Sequence, residues 1–267
     1  MQSSRKVFIT GASSGIGRAL ALFYAARGAR LGLLARRAEA LQTLAGELAA
    51  AGAGAVFTYP LDVTDAPGLQ AAGADFMARC GVPDIVIANA GVSVGTLTEG
   101  GEDLEAIRRV FDVNVFGMAA TFAPFAHAMP AAGAAHGVGG GRLVGIASVA
   151  GIRGLPGAEA YSASKAAAIA YLESLRLEMR DAGVKVVTIC PGYIETPMTA
   201  VNPYRMPFLL PAPEAARRFA RVIERGASYA VVPWQMGIVA KLLRVLPNAL
   251  YDRLFARAPR KPRRLAV

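Results

Sequence analysis

The stretch "TGASSGIGRAL" (residues 10–20) follows a short apolar run and leads directly into a helical pattern. Its glycines, Gly11, Gly15 and Gly17, allow a tight turn and a close approach of the backbone to a ligand. The start of a helix behind such a loop offers free amide groups and the positive end of a dipole, which together suit a pyrophosphate. A glycine-rich loop also fits a structural turn or a methyltransferase, so the surrounding pattern has to distinguish these interpretations.

Outward from this loop, apolar runs of strand length alternate with longer helical patterns. The predicted strands are 6–10, 30–35, 55–60, 85–88, 141–147, 185–190 and 230–233, and the predicted helices are 16–27, 38–51, 67–80, 104–129, 160–182 and 213–224. Apolar strands that alternate with helices indicate a parallel sheet covered on both faces. The sequence therefore predicts an α/β, doubly wound fold, whose ligands bind at the carboxyl ends of the strands. The glycine loop lies at one of these ends, which favours a dinucleotide.

A single domain is the simplest arrangement of these elements. Residues 1–233 would form a dinucleotide-binding and catalytic unit, and residues 234–267 an amphipathic, basic extension of the same domain. The glycine-rich stretch "GAAHGVGGG" (residues 133–141) predicts a loop between a helix and a strand.

The composition excludes several classes of protein. Although 54% of the 267 residues are hydrophobic, no uninterrupted apolar run is long enough to predict a spanning helix. The start "MQSSRKVFITGASSG" enters a strand and a glycine loop at once and leaves no room for a signal peptide. Cys80 and Cys190 match no metal or redox spacing, so no metal site is predicted. These features predict a cytoplasmic protein.

The net charge of +10 raises nucleic acid and anionic membranes as partners. Much of the excess lies near the C-terminus, at Arg253, Arg257, Arg260, Lys261, Arg263 and Arg264. The body of the chain lacks the interleaved aromatic and basic residues of single-strand binders, so nucleic acid is not an expected partner.

Two helical patterns precede this basic cluster. In "QMGIVAKLLRVL" (residues 235–246) the apolar residues share one predicted face, namely Met236, Val239, Leu242, Leu243 and Leu246. The pattern in "ALYDRLFAR" (residues 249–257) is similar. Such helices could fold over the substrate cleft or over a neighbouring subunit. An apolar face followed by arginines also predicts a weak peripheral contact with an anionic membrane.

The end of the second predicted strand, "LLARR", bears on the choice of dinucleotide. An acidic residue here would bind the adenine ribose hydroxyls of NAD, whereas the sequence has Arg36 and Arg37. A guanidinium group suits the 2′-phosphate of NADP. A solvated helix start remains an alternative for Arg37, but two arginines at this position favour NADP.

Further polar motifs follow later strands. "LDV" (residues 61–63) and "NAG" (residues 89–91) each follow a strand, where turn chemistry is the alternative to cofactor binding. Asn114 lies within a long predicted helix, and Ser148 ends a strand thirteen residues before Tyr161. In "YSASK" (residues 161–165) the tyrosine and Lys165 share a helix face, so the ammonium could lower the pKa of the phenol. A snorkelling lysine beside a half-buried tyrosine is the alternative for this pair alone.

In this order and spacing, the motifs closely resemble the short-chain dehydrogenase/reductase family. The likeness extends over residues 6–198 and includes "PGYIETPM" (residues 191–198), which resembles the family's loop beside the nicotinamide. The resemblance implies a Rossmann-type doubly wound parallel sheet in a single domain and an NADP(H)-dependent oxidoreductase.

The resemblance also implies residue roles. Tyr161 would be the general acid, Lys165 would lower its pKa and bind the nicotinamide ribose, Ser148 would bind the substrate oxygen, and Asn114 would hold a water. The implied cofactor-binding residues are Gly11, Ser13, Ser14, Gly15, Ile16, Gly17, Arg36, Asp62, Val63, Asn89, Ala90, Gly91, Tyr161, Lys165, Pro191, Gly192, Ile194 and Thr196.

The substrate and the assembly are less constrained by these motifs. The apolar segment "TAVNPYRMPFLL" (residues 199–210) predicts a lid over an apolar carbonyl or alcohol substrate, with packing of a connecting loop as the alternative. Family members of this kind are usually homodimers or homotetramers that pair the helices corresponding to 104–129 and 160–182. A catalytically idle NADP-binding sensor and a membrane-surface module are the other functions considered.

Overall fold

The structure, a computed structural model, describes residues 4–130, 141–258 and 260–263. Its strands are β1 (Lys6–Thr10), β2 (Arg30–Ala35), β3 (Ala55–Pro60), β4 (Ile85–Ala88), β5 (Arg142–Ile146), β6 (Lys185–Pro191), β7 (Ile194–Glu195), β8 (Leu210–Pro211) and β9 (Tyr229–Val232). The described helices are α1 (Gly15–Ala25), α2 (Ala38–Ala50), α3 (Ala66–Cys80), α4 (Leu104–Phe111), α5 (Gly117–Ala126), α6 (Glu159–Glu178), α7 (Pro197–Ala200), α8 (Ala212–Arg225), α9 (Trp234–Val245) and α10 (Asn248–Phe255).

Seven of these strands form one parallel sheet in the order β3-β2-β1-β4-β5-β6-β9. Val7 of β1 pairs with Leu31 on one side and with Ile85 on the other, so the chain changes direction across the sheet between β1 and β4. The carboxyl ends of strands at such a switch point form a crevice for a ligand. The predicted Rossmann-type doubly wound sheet in a single domain is confirmed.

The two faces of the sheet carry separate cores. Val7 and Ile9 point to one face and pack in a cluster that includes α1 and α8 through Leu20 and Phe219. Phe8 points to the other face, where its ring lies 5.5 Å from that of Phe76 and 4.9 Å from that of Phe125. Alternate residues of β1 are thus buried on opposite sides, which explains why every residue of the strand after its first is apolar or fully buried.

The predicted strands and helices agree with the structure to within a few residues. The predicted helix 104–129 is the one that differs in kind, because a π-helical turn, Asp112–Phe116, separates α4 from α5. The helix predicted over 160–182 ends at Glu178, and the chain then turns through Gly183, whose φ is +71°. Residues 133–140 of the predicted glycine-rich loop lie outside the described residues.

The packed face of the C-terminal helix α9 shares Met236, Leu243 and Leu246 with the predicted face, whereas Val239 and Leu242 of the predicted face are exposed. Met236, Gly237 and Ala240 are buried, whereas Leu242 is exposed. Small side chains explain the difference, because a Cβ at Gly237 would lie only 3.2 Å from Val231 of β9. Among the described helices, none is long and apolar enough to cross a membrane.

Arg153 contacts both the end of α9 and the next helix, α10. Its Nη1 donates hydrogen bonds to the carbonyl oxygens of Leu243 (2.8 Å) and Leu246 (2.9 Å) at the end of α9. Its guanidinium carbon lies 4.1 Å from the ring centroid of Tyr251 in α10. The Tyr251 hydroxyl donates to the carbonyl of Gly154 over 2.6 Å. The two C-terminal helices are therefore held against the loop that follows Ser148.

Candidate active site

The glycine loop after β1 packs closely against the residues that follow β4. Gly11 has a φ of +66°, and a Cβ built on it would lie 2.7 Å from the Cα of Ala90. A Cβ on Gly17 would lie 2.3 Å from the carbonyl oxygen of Gly11. Glycine is therefore required at both positions. The described contacts give Ser14, the residue before α1, no side-chain cap, so the first amides of the helix are available to a ligand.

Asn89 ties this loop to the end of β4. Its Nδ2 donates to the carbonyl oxygens of Thr10 and Gly11, both over 3.1 Å. In return, the amides of Asn89 (3.3 Å) and Ala90 (3.4 Å) donate to Thr10 Oγ1. Asn89 thus supports the predicted cofactor loop from beneath. Thr10, which was not among the predicted site residues, is buried and holds the two strand ends together.

Arg36 and Arg37 are exposed at the end of β2 and line the same cleft as the glycine loop. Within the described part of the chain, neither forms an ion pair. Arg37 Nη2 reaches Ser13 Oγ at 3.5 Å, so it extends over the loop. Arg37 is also the exposed residue that precedes α2, so the alternative of a solvated helix start fits the structure as well as a role in the cleft does.

Asp62 after β3 is half-buried and forms an ion pair with Arg109 of α4, with 2.6 Å between the two side chains. Its other oxygen accepts hydrogen bonds from the amide and hydroxyl of Thr64. Burial raises the pKa of this carboxyl, but the hydrogen bonds from Thr64 and Arg109 outweigh burial and lower it. Arg109 also lines the cleft, and no motif in the sequence distinguishes it from other helical arginines.

Asn114 lies in the π-helical turn and is fully buried. Its Oδ1 accepts from the amide of Val92 (2.8 Å), and its Nδ2 donates to the Val92 carbonyl (2.9 Å) and to Ser164 Oγ (3.0 Å). Both amide hydrogens are therefore used, and one lone pair of Oδ1 remains. A Cβ at Gly91 would lie 3.2 Å from Oδ1 and 3.6 Å from Lys165 Nζ. Asn114 thus fixes the segment after β4 next to Lys165.

Ser148, Tyr161 and Lys165 meet at the carboxyl end of β5. Ser148 lies just beyond the strand and accepts a hydrogen bond from the amide of Ala150 over 3.1 Å. Tyr161 and Lys165 are one turn apart on α6, as predicted. Lys165 Nζ is buried, donates to the Ile146 carbonyl over 2.8 Å, and lies 5.9 Å from the centroid of the Tyr161 ring.

The pKa values of this pair differ from the expectation that Lys165 lowers the pKa of Tyr161. Burial raises the pKa of the Tyr161 phenol, and the nearby Ser148 hydroxyl acts in the opposite direction. Burial lowers the pKa of Lys165 to about 8. The physical reason is the position of Nζ, which is held on the Ile146 carbonyl and over the phenol ring. The pKa of the Tyr161 phenol is therefore determined mainly by burial and not by the Lys165 ammonium.

The loop after β6 closes the far side of the cleft. A Cβ on Gly192 would lie 2.6 Å from Met236 Cγ, so α9 packs directly on this loop. The amide of Thr196 donates to Thr199 Oγ1 over 3.1 Å and begins α7. The side chain of Thr196 packs on the glycine loop, since a Cβ on Gly15 would lie 3.1 Å from Thr196 Cγ2.

Together these segments enclose a cleft of about 680 Å³. The predicted residues that line it are Gly11, Ser13, Ser14, Gly15, Ile16, Arg36, Asp62, Val63, Asn89, Ala90, Gly91, Ser148, Tyr161, Lys165, Pro191, Gly192, Ile194 and Thr196. Gly17 and Asn114 support the cleft from behind its wall. Of the predicted lid, Thr199 and Val201 line the cleft, whereas Phe208 and Leu209 are exposed away from it. Lys261 and Pro262, which no motif marks, also line it.

Known proteins share this fold and sequence. A family model described as short chain dehydrogenase matches residues 5–205. Over 250 residues the chain is 41% identical to an uncharacterized oxidoreductase of Myxococcus xanthus, and the match covers 94% of this chain and 96% of that protein.

Solved structures agree with this result. A short-chain dehydrogenase/reductase from Burkholderia phymatum in complex with NAD superposes with a TM-score of 0.80 at 26% identity, over 97% of this chain and 98% of that chain. An alcohol dehydrogenase from Thermococcus sibiricus complexed with 5-hydroxy-NADP gives a TM-score of 0.75 at 26% identity, over 85% and 95%. These matches place the protein among the oxidoreductases with a doubly wound α/β fold. More narrowly, the chain belongs to the short-chain dehydrogenase/reductase family.

Proposed function

We propose that the protein is an NADP(H)-dependent oxidoreductase that transfers a hydride between the nicotinamide and a carbonyl or secondary alcohol substrate. One observation carries this proposal: Ser148, Tyr161 and Lys165 line the same cleft as the glycine loop after β1. The cofactor, when bound, supplies the hydride, and the protein supplies orientation and a proton.

The residues of the cleft fit a dinucleotide. Side chains at Gly11 and Gly17 would collide with the backbone or with Asn89, so glycine at both positions lets the loop pack closely at the end of β4. The uncapped start of α1 suits the pyrophosphate. Asp62 and Val63 would flank the adenine, and Lys165 would bind the nicotinamide ribose. The segment from Pro191 to Thr196 would hold the nicotinamide.

Arg36 and Arg37 support NADP over NAD. Both arginines line the cleft at the end of β2, the strand end at which this fold type binds the adenine ribose, and the sequence has no carboxylate there to repel a 2′-phosphate. The related structures do not distinguish the two cofactors, because the Burkholderia protein is in complex with NAD and the Thermococcus protein with 5-hydroxy-NADP.

The proposed reduction uses the tyrosine as acid. Ser148 Oγ donates a hydrogen bond to the carbonyl oxygen and fixes its position. Tyr161 would give its phenolic proton to this oxygen, and the bound cofactor would supply the hydride to the carbonyl carbon. Lys165, held on the Ile146 carbonyl, would bind the nicotinamide ribose, and Asn114 keeps the segment after β4 in place. Oxidation of an alcohol reverses each of these transfers.

A turnover screen tests the proposal. NADPH oxidation would be followed at neutral pH with aliphatic, aromatic, β-ketoacyl and steroid ketones, and the reverse reaction with the matching alcohols and NADP. Reduction of at least one carbonyl class, lost in Tyr161→Phe, supports it. Tight NADPH binding without turnover of any of these compounds would favour the idle sensor instead.

The exposed helix faces support a homodimer. Leu104 of α4 and Phe116 of the π-helical turn are 64% and 66% exposed, which is unusual for large apolar side chains. On the first half of α6 the exposed residues are small, namely Ala163, Ala166 and Ala170. Small residues permit helices to approach closely. We therefore propose that α4, α5 and α6 of two copies pack together.

A second candidate function concerns α9 and α10. Trp234, Ile238, Leu242 and Val245 follow one another at helical spacing and are exposed, Val245 by 77%. The same two helices and the residues directly after them carry exposed basic residues, namely Lys241, Arg244, Arg253 and Arg257. An apolar face within a basic surface complements an anionic bilayer. We therefore propose weak peripheral binding of this face to anionic membranes.

A further inference from the structure

A lysine near the end of the described chain lies inside the catalytic cleft. Residues 260–263, the C-terminal strap, cross one side of the cleft, and Lys261 and Pro262 line it. Lys261 Nζ donates to Ser93 Oγ over 2.9 Å and to the Met198 carbonyl over 3.4 Å. Ser93 follows the segment 89–91, and Met198 follows the proposed nicotinamide loop. Lys261 is therefore on the side of the cleft where the substrate would bind.

The strap is bound to the body of the protein by specific contacts. The amide of Gly95 donates to the Pro262 carbonyl over 2.9 Å. Arg263 pairs with Glu102 (2.6 Å) and with the largely buried Asp103 (3.1 Å). A Cβ on Gly95 would lie 2.1 Å from the Lys261 carbonyl oxygen, so the strap can pass here only because residue 95 is glycine. These contacts define the position of the Lys261 side chain.

The positive charge of Lys261 is not balanced by a carboxylate among the described residues. Its two hydrogen-bond acceptors are neutral, and the acidic residues nearest the strap, Glu102 and Asp103, are already paired with Arg263. In the described part of the chain, no carboxylate lies within ion-pair distance of Lys261. Burial lowers the pKa of Lys261 to about 8, so the group is charged at neutral pH. A half-buried charge without a carboxylate partner among the described residues favours an anion brought by a ligand.

The segments that Lys261 contacts line the cleft mostly with apolar residues, namely Val92, Met198, Val201 and Pro262, and also with Ser93 and Thr199. We propose that Lys261 binds the carboxylate of the substrate, whose apolar part lies on these walls and whose carbonyl reaches Tyr161. The substrate class would then be oxo acids instead of neutral ketones. This inference rests on the proposed oxidoreductase function and names the substrate of the same site.

Matched pairs of substrates test the inference. Acetoacetate and levulinate would each be compared with their methyl esters in the parent protein, in Lys261→Met and in Arg257→Met. The last variant removes the same charge from an exposed residue outside the cleft. We expect the parent to prefer at least one acid over its ester by about tenfold in kcat/KM, the effect of a charge-assisted hydrogen bond. Lys261→Met should lose this preference, because the KM of the acid should rise by a larger factor than that of the ester, and Arg257→Met should keep it.

A second variant tests the position of the strap. Gly95→Ala leaves Lys261 in the sequence but forces the strap away, and it should lose the same preference for the acid. Calorimetric titration of levulinate into the NADPH-loaded parent and Lys261→Met proteins provides a measurement without turnover, and binding should weaken by about tenfold in the variant.

The outcomes separate this inference from the proposed function. If the parent reduces esters and acids equally well, or if Lys261→Met keeps the preference, the carboxylate site is wrong and the oxidoreductase function stands. If the parent reduces no carbonyl compound but binds levulinate through Lys261, the proposed function fails and the anion site remains. Equal levulinate binding by the parent and Lys261→Met overturns the inference whatever the turnover.

Discussion

Lys165 Nζ donates a 2.8 Å hydrogen bond to the carbonyl of Ile146, two residues before Ser148 on the same strand end. The ammonium is buried at this point and its pKa is lowered to about 8. Lys165, which is proposed to bind the nicotinamide ribose, therefore already has a partner within the protein. The hydrogen bond holds its ammonium at the end of β5 and beside the Tyr161 ring.

The burial of the Lys165 ammonium predicts that the parent protein and Lys165→Met differ in their free energy of unfolding. A shift from 10.5 to about 8 corresponds to about 3 kcal/mol that favours the uncharged amine. Between these pH values the unfolded chain binds more protons at this site than the folded one, so the stability of the parent should rise with pH across this window. Lys165→Met keeps the side-chain length and removes the charge. It should be more stable than the parent at neutral pH, by less than this figure because the hydrogen bond is lost, and the difference should shrink as pH rises.

Thermal melts of both proteins between neutral pH and the upper end of the window measure this difference. Tyr161 and Cys190 adjoin the lysine, and burial raises both of their pKa values, so they stay neutral over most of the range. Lys261 titrates in both proteins and cancels in the comparison. A variant that is less stable than the parent at every pH would show that the hydrogen bond outweighs the cost of burying the charge.

Tyr161→Phe tests the proposed acid. Phenylalanine keeps the ring between Ser148 and Lys165 and removes the proton. Turnover should fall by roughly two to four decades, the usual contribution of a positioned acid, with little change in NADPH affinity. Stopped assays with the best carbonyl substrate, together with fluorescence titration of NADPH, separate the two quantities. Unchanged turnover would exclude Tyr161 as the proton donor.

Arg36→Asp and Arg37→Asp test cofactor choice. Each change places a carboxylate where the 2′-phosphate would lie, so NADPH binding should weaken by about tenfold or more while NADH binding changes less. Arg225→Asp, at the exposed end of α8, carries the same change of charge and should bind both nucleotides like the parent. Equal affinity of the parent for NADPH and NADH would contradict the role of the arginine pair.

Phe116→Glu tests the proposed dimer. A carboxylate on this exposed face would have to be buried between two copies, so the variant should dissociate at micromolar concentrations while remaining folded. Light scattering gives the mass, and circular dichroism checks the fold. Leu254→Glu replaces an equally exposed leucine on α10 and should leave the dimer intact. A parent protein that is already monomeric would overturn the proposal.

The C-terminal face predicts salt-sensitive binding to membranes. Sedimentation with phosphatidylserine vesicles should show binding at low salt that weakens at high salt, and phosphatidylcholine vesicles serve as the neutral control. Leu242→Glu combined with Val245→Glu places charges within the apolar face and should abolish binding. Failure of the parent to bind at either salt concentration would leave the face without this function.

The fold could be predicted from sequence because its signals are local. The apolar strands and the residues between Gly11 and Gly17 carry their own geometry, and the order of motifs places Ser148 near Tyr161. Features that depend on packing between distant segments leave no local pattern in the sequence. Whether Lys165 faces the phenol hydroxyl or Ile146 depends on how α6 lies on the sheet, and the packed face of α9 depends on its contact with Val231.

One cause explains why the sequence did not identify Arg109 and Lys261 as cleft residues. Arg109 reaches Asp62 over 47 positions in the chain, and Lys261 reaches Ser93 over 168. A single arginine or lysine has no spacing rule that marks it, and only the folded chain brings it to the cleft. The lid predicted over 199–210 contributes Thr199 and Val201 to the cleft lining, and its other residues could not be sorted in advance because periodicity does not say which apolar residues face a ligand.

The separation of Ser93 from Lys261 also sets an order of events during synthesis. The glycine loop, the end of β2 with Arg36 and Arg37, and most of the cleft precede the strap in the chain, and domains begin to fold from the N-terminal side as the chain emerges. Closing a contact over 168 residues is slow compared with local pairing. The residues proposed to bind the nucleotide are therefore all synthesised before the lysine that is proposed to bind the substrate.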